Sequence, residues 1–328
     1  MRTLKRIGIA ALSFVVASAL ITQVARIWIE ARVPQDGVRI EVGGTHLHVL
    51  DQGEGPAIVL IHGLLGQMRN FAPDLVDTLA QEHRVILVDR PGSGYSDALP
   101  AGANGIAEQS DAIAALIEKM DLGAPTVVGH SLGGAVALSL ALDHPTNVGA
   151  VALIAPATQP QREAPSAFAA LTLEMNVVRR ALAFTLATPV GITVFNRSAA
   201  ALFAPEPTPT SFSTIGGGLL AVRPENFLAG GNDLMALRDA LPDLSLQYSE
   251  LNLPIDILFG SGDQILDPMH NGRSVAEQIS GATYTEIDGG HMIPFTAPDV
   301  VAEWILDAAD RVGQPQEPLT VSEEPNKE

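Results

Sequence analysis

The serine at position 131 has the surroundings of a nucleophile, because Val127-Val128-Gly129-His130-Ser131-Leu132-Gly133-Gly134 leads from an apolar stretch straight into an alanine-rich one. A Gly-x-Ser-x-Gly turn between strand and helix bends the backbone so tightly that the hydroxyl points out of the sheet. The flanking glycines keep Cβ atoms out of the crowded crossing. Such a hydroxyl needs a general base, and the base needs an acid to orient it. In this arrangement they follow along the chain in the order Ser, Asp or Glu, His. Asp263, after Gly260-Ser261-Gly262, and His291, after Asp288-Gly289-Gly290, satisfy that order. Asp267 competes for the acid's role, but it precedes Pro268 as a helix cap does, so Asp263 is preferred.

The elements that must hold these groups are legible nearby. Pro125 to Val128 follows the breaker Gly123 as a short strand, and Ala135 to Leu142 is rich in helix formers and ends before His144-Pro145. Ile255 to Phe259 and Tyr284 to Ile287 read as strands, which puts Asp263 and His291 on loops at their carboxyl ends, where open parallel sheets gather catalytic groups. Ala57 to Ile61 is a further buried strand, opening into His62-Gly63-Leu64-Leu65-Gly66. The backbone N–H groups of Leu64 and Leu132 are the natural pair to receive the negative oxygen of a tetrahedral intermediate. Of the remaining histidines, His46 and His48 lie on an alternating segment, His83 and His144 follow helices, and His270 falls in a first helical turn. His62 and His130 flank turn glycines and are expected to bond the loops they occupy.

With His62-Gly63, Asp89-Arg90-Pro91-Gly92-Ser93-Gly94-Tyr95-Ser96, Gly129 to Gly134, Asp263 and His291 in this order over roughly residues 40 to 311, the chain resembles an α/β-hydrolase of the single-domain bacterial type. The resemblance implies a mostly parallel sheet flanked by helices and a catalytic triad of Ser131, Asp263 and His291. The Asp89 to Ser96 segment reads as a structural turn. Relatives that attack with an aspartate open epoxides or remove halide, and Ser131 counts against both. The tyrosines Tyr95, Tyr248 and Tyr284 and the tryptophans Trp28 and Trp304 also sit poorly for those reactions. Carboxylic ester hydrolysis through an acyl-enzyme is the expected activity, on a small or lipidic substrate. Carbon-carbon bond hydrolysis, thioester or peptide cleavage, peracid formation and a non-catalytic binding role remain open. No metal or organic cofactor is required by this chemistry, and the chain has no cysteine and no histidines at zinc-site spacing.

The expected organisation is an N-terminal segment over 1–32, a hydrolase core over 33–155 and 254–312, a helical cap over 156–253 and a disordered Pro- and Glu-rich tail over 313–328. Helices are expected over Ser166 to Leu186 and Asn232 to Leu241. Phe168, Leu171, Met175, Phe184, Phe195, Phe203, Phe212 and Phe227 either wall an acyl site or pack the cap onto the sheet. Arg2, Lys5 and Arg6 precede nineteen uncharged residues, Ile7 to Ala25. As a helix these extend about 28 Å, close to the hydrocarbon thickness of a bilayer. A retained anchor is preferred to a signal peptide cut after Ala17-Ser18-Ala19, because the apolar run continues and Trp28 suits an interface. Either outcome places the catalytic domain outside the cytoplasm, on the periplasmic side in a Gram-negative cell. A formal charge of -18 argues against nucleic acid as a partner.

Overall fold

Short runs of β-branched and aliphatic residues, too short for stable helices and bounded by glycine or proline, become the strands of one sheet. The computed structural model describes residues 2–100, 103, 105–161, 171–173 and 175–312. Its strands are β1 (Val38–Val42), β2 (Thr45–Gln52), β3 (Ala57–Ile61), β4 (Arg84–Val88), β5 (Thr126–His130), β6 (Ala150–Ile154), β7 (Ile255–Gly260) and β8 (Thr283–Ile287). They lie in the order β1-β2-β4-β3-β5-β6-β7-β8. β1 and β2 are antiparallel to their neighbours, and every pairing from β4 to β8 is parallel. The chain thus enters through a hairpin and then winds a mostly parallel sheet.

Helix α1 (Arg2–Arg32) precedes the sheet; α2 (Pro73–Leu79), α3 (Ile106–Lys119) and α4 (Leu132–Asp143) alternate with its first strands. Successive residues of a strand point to opposite faces. Val127 accordingly joins the core beneath α3 and α4, while its neighbour Val128 joins the core shared with α2 and the C-terminal helix. α4 is buried on all sides from Leu132 to Ala141, which fits its nearly uniform apolar sequence.

Between β6 and β7 the chain leaves the sheet for a helical insertion: α5 (Asn176–Leu182), a π-helical turn (Ala183–Ala187), α6 (Thr188–Phe203), a 3-10 turn (Gly218–Val222) and α7 (Pro224–Leu244). After β7 come α8 (Ser274–Ala276), α9 (Ile293–Thr296) and α10 (Pro298–Ala309). The helix expected over Ser166 to Leu186 is described only from Asn176, since residues 162–170 and 174 lie outside the described residues. The tail over 313–328 lies outside them as well.

α1 does not stand apart from the rest. Residues 5–16 are exposed, but from Ser18 onward one stripe of the helix packs on the insertion. Thr22 donates its hydroxyl to the carbonyl of Thr185 at 2.7 Å. Ile29 and Val33 are fully buried in a cluster with Leu219 and Leu220. Glu30 pairs with the buried guanidinium of Arg223 at 3.0 Å, and Arg26 with Glu225 at 3.2 Å. α1 and the stretch from Asn176 to Phe203 are both long and apolar enough to cross a membrane.

Candidate active site

Ser131 is the single residue between β5 and α4, and the turn forces it to φ 54°, ψ -121°. That region is costly for a residue with a Cβ, by about 1–3 kcal/mol, so the surrounding structure must impose it. It does so through the backbone: Ser131 N–H donates to Ile154 at 3.0 Å, and its carbonyl accepts from Gly134 and Ala157, each at 2.9 Å. The close crossing also explains Gly133, where an added Cβ would lie 2.2 Å from the carbonyl oxygen of Ile61.

The loops after β7 and β8 are stapled together, with Ser261 N–H donating to Ile287 and Gly262 N–H to Gly289, both at 2.8 Å. This brings His291 Nδ1 to 2.7 Å from Asp263 Oδ2, with both side chains buried. The other oxygen of Asp263 accepts from the N–H groups of Ile265 at 2.7 Å and Leu266 at 3.0 Å. Burial would raise this carboxyl, but His291 and the two N–H donors outweigh it and hold Asp263 below the usual carboxylate range. It is therefore an anion in position to fix the imidazole. Asp267 caps instead, accepting from Met269 at 2.8 Å and His270 at 3.1 Å.

Ser131, His130 and His291 line one cavity of about 620 Å³, with Gly63 and Leu64 beside them. The Ser131 hydroxyl and the His291 ring form no hydrogen bond with each other among the described residues; they face the same space. Leu132 is the first residue of α4, so its N–H has no intrahelical acceptor, and the loop N–H of Leu64 has no acceptor among the described residues. The His130 ring lies tilted beside that of His291, centroids 5.0 Å apart, and donates Nε2–H to the His291 carbonyl at 3.0 Å. Burial, with His291 adding to it, pushes His130 down to about 3, so it stays neutral and holds the neighbouring loop as a fixed donor.

The insertion supplies the opposite wall. Leu171, Phe195, Phe212 and Phe227 line the cavity, whereas Phe203 is buried against Phe212 and Phe295 and Met175 is exposed on the surface. Phe168 lies outside the described residues. The aromatic residues of this region thus divide between cavity wall and packing.

Two polar residues have a structural hold on the site through contacts that the sequence does not show. Arg90 is wholly buried and donates to the carbonyls of His62 and Gly63 at 2.9 Å, to Gln109 at 2.7 Å and to Asp233 of α7 at 2.9 Å. It ties the Gly63–Leu64 loop to the insertion. Glu206 accepts the N–H of Gly290, beside His291, at 2.9 Å. The sequence signal for Arg90 is its place in the Asp89 to Ser96 segment just after β4, which does not disclose its hold on α7; Glu206 carries none. Asp89 itself is structural, accepting from Met68 and Tyr95 at 2.8 Å and facing His48 at 2.7 Å.

Residues 56–298 match the family described as alpha/beta hydrolase fold. A magnesium-chelatase 30 kDa subunit of Rhodobacter capsulatus is 29% identical over 277 residues, covering 82% of this chain and 93% of its own length. A 2-hydroxy-6-oxononadienedioate/2-hydroxy-6-oxononatrienedioate hydrolase of Pseudomonas putida is 26% identical over 282 residues, covering 82% of this chain and 94% of its own. The crystal structure of the enol-lactonase from Burkholderia xenovorans LB400 superposes with a TM-score of 0.67 at 25% identity, over 82% of this chain and 98% of that one. Sheet order, strand-to-helix turn and family match agree, and the chain belongs to the alpha/beta hydrolase fold family as a bacterial-type hydrolase.

Proposed function

We propose that the protein is a serine hydrolase that cleaves neutral carboxylic esters through an acyl-enzyme. The observation that carries this reading is the strained Ser131 facing the same apolar cavity as the Asp263–His291 pair. In the proposed reaction Ser131 Oγ attacks the acyl carbon while His291 Nε2 takes its proton. Asp263 holds Nδ1–H and stabilises the imidazolium. The N–H groups of Leu64 and Leu132 receive the oxyanion, each such donor being worth about 3–4 kcal/mol in the transition state. His291 then passes the proton to the leaving alcohol, and later activates the water that releases the acid.

The lining supports an uncharged acyl group. Among the described residues, no Lys, Arg, Asp or Glu lines the cavity, so a substrate carboxylate would be buried without a partner. This separates the chain from a relative whose name specifies a dioate substrate. Residues 156–253 act as the cap over this cavity, with the core on either side in the chain. α1 acts as a retained anchor that keeps the domain outside the cytoplasm. Ser18 is already buried, so the Ala17-Ser18-Ala19 sequence falls within a docked helix and not in an exposed extended stretch.

The test is labelling of the purified full chain by a fluorophosphonate, together with hydrolysis of p-nitrophenyl esters of increasing acyl length. Ser131→Ala is expected to abolish labelling and to lower kcat by a factor on the order of 10⁴–10⁶. A folded wild-type protein that is neither labelled nor active on any ester, but splits a vinylogous diketone, would replace ester cleavage by carbon-carbon bond hydrolysis.

A further inference from the structure

We infer that the roof of the cavity is itself immersed in the lipid bilayer, and that the acyl chain of a membrane-dissolved ester enters sideways from the leaflet. This rests on the anchor and ester-hydrolase readings above and adds where the substrate comes from.

The first ground is depth. If α1 crosses the bilayer over Ile7 to Ala25, its first contacts with the insertion, at Ser18 and Thr22, fall within the span, while those of Arg26, Ile29, Glu30 and Val33 fall beyond it. Ser18 and Thr22 lie eight and four residues before Arg26, hence about 12 and 6 Å below it along the helix. Thr22 is bonded to Thr185, in the π-helical turn that joins α5 to α6. Inserting α1 therefore carries that turn into the acyl region. Farther along, Ile29 shares an apolar cluster with Ile192, so the two helices advance in the same direction. Val177, two turns before Thr185, then belongs deeper still.

Surface chemistry is the second ground. A helix wall immersed in lipid must expose apolar side chains. Val177 is 80% exposed, Met175 69% and Val190 54%, in a chain of formal charge -18. From Met175 to Pro205 there is no Asp or Glu, and the exposed charges are Arg180 and Arg197. In a chain of net charge -18, Arg197, five residues past Ile192, comes to the level of anionic headgroups, while Arg180, between Val177 and Thr185, is the one exposed charge within the immersed stretch and has to snorkel along its own helix.

The cavity rim is the third. Leu173, Val190 and Val194 line the cavity and are also 39%, 54% and 43% exposed, so they stand where it meets the outside. An apolar rim on the lipid-facing wall gives an acyl chain a path that never crosses water.

The chain has no cysteine, so single cysteines can be introduced at Leu12, Val177 and Val300 and labelled with bimane in the full-length protein. Reconstitution is in vesicles of phosphatidylcholine with a minority of phosphatidylglycerol, carrying nitroxides on the acyl chains. Labels at 12 and 177 are expected to be quenched several-fold more than the label at 300, which reports α10. Quenching at 12 with none above the 300 background at 177 overturns the immersed roof and leaves the anchor. No quenching at 12 removes both. Val177→Asp is expected to keep the rate on a soluble short-chain ester and to lose several-fold on a long-chain ester held in the vesicles; equal vesicle rates would also overturn the proposal. Should wild type prove inert on every ester, the hydrolase reading fails while the quenching pattern still decides immersion.

Discussion

At the scale of single residues, the site depends on which carboxylate meets the imidazole. Asp263 and Asp267 are four residues apart, and both accept two backbone N–H groups. Only Asp263 has its second oxygen on His291. Asp263→Asn is therefore expected to lower kcat by on the order of 10⁴, because the amide favours the wrong imidazole tautomer. Asp267→Asn weakens a cap and costs about 1 kcal/mol or less of stability, with kcat unchanged. Steady-state kinetics on the two variants, each checked by thermal unfolding, separates the roles; a loss of kcat from Asp267→Asn alone would reassign the acid.

At the scale of elements, two contacts between the sheet's loops and the insertion decide how the cavity is held. Arg90 clamps the carbonyls of His62 and Gly63 from one side and Asp233 of α7 from the other. A lysine keeps one charge but cannot reproduce the planar fork. Arg90→Lys is expected to leave buried acceptors unpaired, at about 1–3 kcal/mol each, and to loosen the loop that carries Leu64 N–H. Its unfolding midpoint falls, and kcat falls even when measured far below that midpoint, where stability alone would have no effect. α1 forms the second set of contacts: Glu30 to Arg223, and Ile29 and Val33 into the cluster around Leu219. The helix proposed as the membrane anchor is also part of the insertion's packing.

At the scale of the whole molecule, buried histidines tie stability to pH. Burial, then Arg90, pushes His62 from 6.5 to about 3; burial, then His291, does the same to His130. Between those values the unfolded chain binds protons that the folded chain refuses, so stability falls as pH falls from about 6.5 toward 3. Asp263 and Asp89 act in the same sense at lower pH. Both carboxyls are held below their usual range despite burial, and their contribution is lost as pH drops through the folded values. His48 opposes them: burial lowers it, but Asp89 raises it further, so its contribution is complete below 6.5 and is lost as pH rises through its folded value. The thermal midpoint is expected to decline steadily on acidification from about pH 6.5, and less steeply in His130→Gln. A flat profile down to about pH 4 would contradict this account.

The linear order of Ser131, Asp263 and His291, with the runs Ala57 to Ile61, Pro125 to Val128 and Ile255 to Phe259, was enough to expect a mostly parallel sheet with these three residues on loops at the ends of its strands. Strand periodicity and glycine turns are local signals, and they read the same in any tertiary setting. The packing of α1 on the insertion, the clamp made by Arg90 and the division of the insertion's aromatics between cavity wall and packing came only from the fold. Each depends on which surfaces meet across distances of tens to more than a hundred residues, as Thr22 meets Thr185 and Arg90 meets Asp233. A side chain's periodicity says that it is buried, and only the assembled neighbours say against what.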